Sequence, residues 1–462
     1  MKANPWIGRY LLPKDEDTFF SNIERRASKI VLPGGSPEFG VESLRSSMRE
    51  IFLCTRQIRK VIKKILALAQ EHAEKNFSTP QGVIDGICSI NPWGLDLSPA
   101  IMITGLAGVG KSQLIEALKR LLAEITRIDV PGHKNIPLAA AWFMTMRNGS
   151  GLNSLIRPWI NSTNNSIDFS IKGKDSDLDL HVDRKDINLE KLLQLARRAS
   201  KRDGVCLQFI DEFQFISRSA NANALATIVL LQLQSIGPRL LYGANFSLAH
   251  RLKNRPQEDR QRLLANPIKL CPEEFDDPDW KNLLNEYLTL APNDFRFEVG
   301  DVAELLHRYT YGNKRSAVEL LASSWLVAKK KRGSKADVKE SDISSAYLSA
   351  EYSQYRDDVE ALWRWEQDKS IKLREDLRDP FPNLNQIEQT VVHAEKAIEH
   401  FESRVQQRMV DGYLTPIERD AIRLADGSPN TPKFNATVLP LRKPSVVKMS
   451  LLEASRAMDD EL

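Results

Sequence analysis

The 462-residue chain has no apolar run approaching the ~18 to 20 residues that a membrane helix needs, so it is not expected to span a membrane. The N-terminus, Met1-Lys-Ala-Asn-Pro-Trp6, lacks the apolar stretch and small-residue cleavage site of a secretory signal, which points to the cytoplasm. Cysteine is scarce: Cys54, Cys88, Cys206 and Cys271 are far apart and form no Cys-x-x-Cys pair, which argues against a disulfide framework and against a zinc site. No sign of charge dominates. The 65 basic and 61 acidic side chains leave a formal charge of +4, so any nucleic-acid-binding surface must be local. No internal repeat is visible, which sets aside solenoid architectures.

What is present is the composition of a globular protein, 42% hydrophobic and 27% charged, at a length that suggests two to four units. Residues 1–40 are punctuated by Pro5, Pro13, Pro33 and Pro37 and read as an irregular arm with little core. From Val41 to Glu74, apolar residues such as Ile51, Ile58, Ile62 and Ile65 recur at helical spacing between Arg45, Arg49, Arg56, Arg59, Lys60, Lys63 and Lys64. This predicts one long basic amphipathic helix, either a solvated face above a packed stripe or a phosphate-contacting helix. Strand-like runs at Ala100–Gly105, Leu138–Met146, Val205–Ile210, Arg239–Gly243 and Pro267–Leu270 alternate with helical segments at Lys111–Glu124 and Leu189–Arg198. Strands separated by helices imply an α/β domain with a five-stranded parallel sheet covered on both faces. Residues 150–186, rich in Asn, Ser, Asp and Lys, read as an insertion or surface loop. From Asp279 to Tyr352 the pattern is wholly helical. The expected organisation is an N-terminal extension (1–94), a nucleotide-binding α/β domain (95–272), a small helical lid (273–352) and a C-terminal extension (353–462). That extension carries a helix at 385–409 and a flexible, partner-binding tail with an apolar patch at Val446–Leu452.

The most informative motif is Gly105-Leu106-Ala107-Gly108-Val109-Gly110-Lys111-Ser112, followed by Gln113. A glycine-rich loop between a strand and a helix turns backbone N–H groups inward around phosphate oxygens, and the positive end of the helix points at them. Lys111 is expected to reach the β and γ phosphates of ATP, and Ser112 to ligate Mg²⁺. The apolar strand Leu207-Gln-Phe-Ile210 ends in Asp211 and Glu212. Asp211 would hold Mg²⁺ through water, and Glu212 would orient and deprotonate the attacking water, which makes the chain an expected ATPase. The next strand ends at Asn245, placed to sense the γ phosphate. Arg255, Arg260 and Arg262 follow in a segment dense in arginine, any of which could reach a neighbouring subunit's nucleotide. Gly312-Asn-Lys-Arg315 opens a helix and places Arg315 where a lid would close over the nucleotide. For DNA, Arg147, Lys172, Lys174, Arg184 and Lys185 are candidates equally well explained as solvated loop residues, with only Trp159 and Phe169 nearby for stacking.

The order of phosphate loop, acid pair, Asn245, arginines and Gly312–Arg315 resembles the AAA+ superfamily over about residues 95–350. Within it, Ile210-Asp-Glu-Phe-Gln-Phe-Ile216 and Gly243-Ala-Asn-Phe-Ser-Leu-Ala-His-Arg-Leu-Lys-Asn-Arg-Pro-Gln-Glu-Asp-Arg260 resemble the TnsC family of transposition regulators, relatives of TniB and MuB. That resemblance implies an ATP-bound protein forming rings or filaments on duplex DNA without sequence preference. It would link a TnsD- or TniQ-type target selector to transposase subunits of the TnsA and TnsB type, with hydrolysis dismantling the assembly. The alternative with the same motifs is a replication initiator or helicase loader, which usually appends a winged-helix DNA reader; no strand-rich segment of that kind follows residue 352.

Overall fold

Apolar strand runs too short for helices, each flanked by a helical segment, build a sheet that is buried on both faces. In a computed structural model, residues 4–30, 36–79, 93, 98–130, 133–146, 152–160, 188–211, 213 and 222–382 are described. The strands are β1 (Ile101–Gly105), β2 (Thr126–Val130), β3 (His133–Leu138), β4 (Ala141–Thr145), β5 (Leu207–Asp211), β6 (Arg239–Asn245) and β7 (Ile268–Leu270). Five of them form the parallel sheet in the order β4-β5-β6-β1-β7, as expected, while β2 and β3 pair as a separate antiparallel hairpin. The run expected as one strand over 138–146 is therefore two elements, broken at Ala139 and Ala140: Leu138 ends the hairpin, and β4 begins at Ala141.

Alternate residues of each strand serve opposite faces, the period-two rule of a pleated strand. Ile101, Ile103, Phe209 and Leu241 join one core, and Met102, Ile210, Leu240 and Tyr242 join the other. The second core is closed by α6 (Leu152–Ile160), α7 (Leu189–Arg202), α8 (Ala222–Gln234) and α9 (Phe246–Lys253), and the first by helices that include residues expected to lie in an extension.

The N-terminal residues are not the bare arm expected. Helices α1 (Pro5–Gly8) and α2 (Glu16–Ile23), with the turn after α1, bury Trp6, Tyr10, Phe20 and Ile23 in the first core. Tyr10 donates to the Ala140 carbonyl at 2.7 Å, and Asn4 donates to the Phe77 carbonyl at 2.9 Å. Prolines punctuate this stretch, but the large apolar side chains between them decide its fate.

The long basic helix expected over 41–74 is two helices, α3 (Pro37–Glu50) and α4 (Arg56–Asn76). The chain is extended at Ile51, and Phe52 pairs with Arg25 through two backbone hydrogen bonds of 2.8 Å. Thr55 then caps α4 by accepting from the Ile58 amide. The apolar run Ile51–Cys54 has enough β propensity to leave the helix once a partner strand is available. Much of the basic character is consumed internally: Arg45 and Arg49 pair with Glu319, Arg59 with Asp17, and Lys63 with Glu16.

Helix α3 belongs to a third core with α11 (Pro278–Thr289), α12 (Val299–Thr310), α13 (Lys314–Arg332) and α14 (Glu340–Tyr347). Gly40 lets α3 approach α13 so closely that a Cβ there would lie 2.5 Å from the Trp325 ring. A final helix, α15 (Ser353–Gln367), packs onto α12, and its Leu362 reaches the first core. No helix among the described residues is long and apolar enough to cross a membrane. A second unit, Asn385–Leu462, lies outside the described residues, and with it the expected helix at 385–409 and the Val446–Leu452 patch.

Beneath the sheet, α4 buries His72 beside Trp93, ring centroids 5.2 Å apart. Burial, with Arg239 and Lys201 nearby, lowers its pKa from 6.5 to about 3. The folded state thus holds the imidazole neutral, so its contribution is complete above pH 6.5 and is lost as pH falls toward 3. Melting curves should record a loss of about 2 kcal/mol from this group by about pH 5, and the His72→Gln variant should lose less on the same shift.

Candidate functional site

The phosphate loop connects β1 to helix α5 (Lys111–Leu122), whose buried Leu114, Ile115, Leu118 and Leu122 hold it on the sheet by one apolar stripe. The N-cap of α5 is Gly110, which offers no side chain to the first amides of the helix, and a helix start of this kind suits an anion. Gly108 sits at φ +90°, and a Cβ there would lie 2.6 Å from both Arg315 Cβ and Asn313 Oδ1. Only glycine allows the loop and the lid to meet so closely. The Lys111 ammonium donates to the Gly105 and Leu106 carbonyls, both at 2.9 Å.

Because β1 pairs with β6 and β6 with β5, the C-terminal ends of all three strands open on one side, which is where ligands bind in sheets of this kind. Asp211 is buried at the end of β5, and Gly243 of β6 faces it; a Cβ on Gly243 would come within 2.7 Å of Asp211 Oδ1. Two positions further on, Asn245 pairs in register with Gly105. Its side chain makes no hydrogen bond to a described residue, and it lines the cavity.

That cavity, about 550 Å³, brings together Ala107, Gly108, Gly110, Lys111, Ser112, Gln113, Asp211, Asn245 and Arg315. Gly105, Leu106 and Val109 shape the loop from behind, with Leu106 and Val109 buried. Glu212 lies outside the described residues, as do Arg147, Lys172, Lys174, Arg184, Lys185 and Phe169. Trp159 is buried and stacked on Trp142 at 5.3 Å, so it is core and not a platform for bases. Arg255, Arg260 and Arg262 do not line the cavity. They lie at and along α10 (Gln257–Leu263), where Arg255 pairs with Asp259 at 3.2 Å and Arg262 with Glu258 at 3.0 Å.

The lid grips the loop through its helix start. Asn313 caps α13 by accepting from the Arg315 and Ser316 amides, and its amide group donates to the Ala107 carbonyl at 2.8 Å. The Arg315 amide also donates to the Gly108 carbonyl at 3.2 Å, while Lys314 pairs with the buried Glu273 at 3.0 Å. The Arg315 side chain is exposed at the cavity and has no ion pair among the described residues.

Sequence reasoning missed Arg49, Tyr287, Val318 and Tyr355, which complete the cavity wall. Asn313 carried a signal, a cap residue before a helical run; Arg49 and Tyr355 carried none, because they come from distant flanks. The volume suits a nucleotide, and the Ser112 hydroxyl and Asp211 carboxylate are hard oxygen donors of the kind Mg²⁺ takes alongside phosphate and water.

Residues 97–252 match the AAA domain family. A search of curated proteins gave no match. Among solved structures, the chain is similar to the ORC1 protein of Aeropyrum pernix in complex with DNA, at 16% identity over 79% of this chain and 72% of that one, TM-score 0.37. It is also similar to domain III of the replication initiation protein DnaA of Thermotoga maritima, at 13% identity over 60% and 95%, TM-score 0.31. The Drosophila ORC bound to DNA gives 14% identity over 72% of each chain, TM-score 0.29. Likenesses of this size say nothing of activity, substrate or assembly. With that match over residues 97–252, the five-stranded parallel sheet and its phosphate loop have the AAA+ P-loop fold.

Proposed function

We propose that the chain is an ATP-hydrolysing switch that assembles on duplex DNA and regulates transposition, joining a target-selecting protein to the transposase and leaving the DNA after hydrolysis. The observation that carries the assembly is the division of the site. Lys111, Ser112, Asp211, Asn245 and Arg315 share one cavity, whereas Arg255, Arg260 and Arg262 stand away from it. An arginine outside its own cavity serves catalysis only by reaching a neighbour's, so ATP belongs at a subunit boundary. The transposition role is supported by the resemblance of Gly243–Arg260 and Ile210–Ile216 to the TnsC family.

In this reading Lys111 and the α5 amides hold the β and γ phosphates, and Ser112 and Asp211 position Mg²⁺, which when bound neutralises phosphate charge. Glu212 takes a proton from the attacking water. The water oxygen bonds to the γ phosphorus as the bond to the β–γ bridging oxygen breaks, giving ADP and phosphate. Asn245 and Arg315 register the γ phosphate, and a neighbour's arginine loses its partner when that phosphate leaves. Stacked protomers turn a few phosphate contacts each into firm DNA binding, so a net charge of only +4 is sufficient.

The test is electron microscopy with random-sequence duplex DNA, using wild type and Glu212→Gln. Wild type should assemble with a non-hydrolysable ATP analogue and not with ADP, and Glu212→Gln should accumulate assemblies with ATP itself while hydrolysis falls by roughly 100-fold or more. Nucleotide-independent behaviour on DNA, or normal hydrolysis by Glu212→Gln, would remove the reading.

A further inference from the structure

Glu319 is paired with two arginines, one of which, Arg45, also pairs with the exposed Glu42. Glu319 lies one turn after Arg315 on α13, is 7% exposed, and is approached by two arginines from α3. Arg49 Nη2 bonds to its Oε1 at 2.5 Å, and Arg45 Nε stands 2.8 Å from its Oε2, an electrostatic pair not aligned as a hydrogen bond. The two arginines differ in freedom: the Arg45 side chain is 17% exposed and the Arg49 side chain 57%. Arg49 also lines the cavity that holds Lys111 and Ser112.

The backbone fixes Arg49 there. Its carbonyl and that of Ile51 both accept from the Gln113 side chain, at 2.9 and 3.2 Å, so the end of α3 is tied to the first turn of α5 directly after Ser112. A buried carboxylate with one partner would hold that partner permanently, since an unpaired buried charge is costly. With Arg45 also on Glu319, Arg49 can depart without leaving the carboxylate unpaired. An arginine is well matched to phosphate, which its planar fork binds through two hydrogen bonds. Tyr355, from the C-terminal flank of the chain, lines the same cavity as Arg49 and Arg315.

We propose that Arg49 is a nucleotide-contacting residue that transfers from Glu319 to the phosphates of a bound nucleoside triphosphate, while Arg45 keeps Glu319 neutralised. The proposal rests on the nucleotide-site reading above. It makes α3, a helix outside the AAA domain match, a direct sensor of nucleotide.

The experiment is fluorescence titration of the full chain with a mant-labelled, non-hydrolysable ATP analogue, using wild type, Arg49→Ala, Glu319→Gln and Lys111→Ala, with melting curves for each. Arg49→Ala should weaken binding about tenfold or more. Glu319→Gln, by removing the competing carboxylate, should bind as tightly as wild type or a few-fold more tightly. Equal weakening by Arg49→Ala and Glu319→Gln would mean that Arg49 only pins α3 to the lid, and would overturn the proposal. So would Arg49→Ala binding like wild type while Lys111→Ala fails. If Lys111→Ala bound like wild type, the nucleotide-site reading would fall first, and the role of Arg49 with it.

Discussion

Lys111→Ala is expected to cost about 4 kcal/mol of ATP affinity, roughly 1,000-fold, measured by isothermal titration. The triphosphate brings several negative charges into a cavity where Asp211 is already a buried acid, so cations must offset them there. The described cavity residues supply four of them: Lys314, paired with Glu273, Arg49, shared with Glu319, Arg315, and Lys111, whose ammonium donates to the Gly105 and Leu106 carbonyls at the base of the loop. Of these, Lys111 stands in the phosphate loop itself, and its bonds to neutral carbonyls are readily exchanged for phosphate oxygens, because a charge-assisted bond to an anion is roughly twice as strong as one to a neutral acceptor. Alanine at the first position of α5 is a good helix former, so the melting temperature of the nucleotide-free protein should hardly change. Retained affinity in a well-folded Lys111→Ala protein would show that the loop does not bind phosphate.

Gly312→Ala is expected to cause the largest loss of stability of any single methyl addition in the lid. Helix α12 ends with Tyr311 in the left-handed region at φ +56°, and Gly312 follows at φ +65°. A Cβ on Gly312 would lie 2.0 Å from the Glu273 carbonyl oxygen, and the Glu273 amide donates to the Gly312 carbonyl at 3.1 Å. Both partners are backbone, so the clash can be relieved only by moving the link between the end of β7 and the lid. The cost should be roughly 3 kcal/mol or more, seen as a fall of roughly 5 °C or more in apparent melting temperature. Nucleotide affinity should fall as well, because Asn313 and Lys314 follow immediately and hold the lid to the loop and to Glu273. A Cβ on Gly300, in the first turn of α12, would meet nothing within 4 Å, so Gly300→Ala should be neutral or stabilise by up to about 1 kcal/mol. A Gly312→Ala protein as stable as Gly300→Ala would mean that the turn is not built as described.

The local motifs were legible because each depends on neighbours in the chain. The phosphate loop needs glycines, a lysine and a hydroxyl within eight positions, and the sheet strands needed only short apolar runs between helical ones. Their convergence follows from topology: in a parallel sheet, the ends of adjacent strands must face the same side, so Asp211 and Asn245 had to lie near Lys111 once β1, β5 and β6 were recognised. The arginine-rich segment was visible too, but its position away from the cavity was not, since spacing along a chain carries no information about which side of a helix faces a neighbour.

The flanks were misread for a physical reason. Periodicity identifies an apolar stripe but not the surface it will cover, so the 41–74 pattern looked like one helix whose cations either faced solvent or met phosphate. Tertiary structure broke it after Glu50, where Arg25 offered Phe52 a strand partner, and sent α3 to the lid and α4 to the sheet. The same applies to Trp6 and Tyr10, which proline punctuation made look loop-like and long-range burial made core. By itself, the sequence determined the sheet, the loop and the chemistry of the residues offered to phosphate. Only the folded chain decided which distant side chains, Arg49 from one flank and Tyr355 from the other, would stand beside that loop, because those contacts are set by packing free energy between elements and not by the local preferences of either.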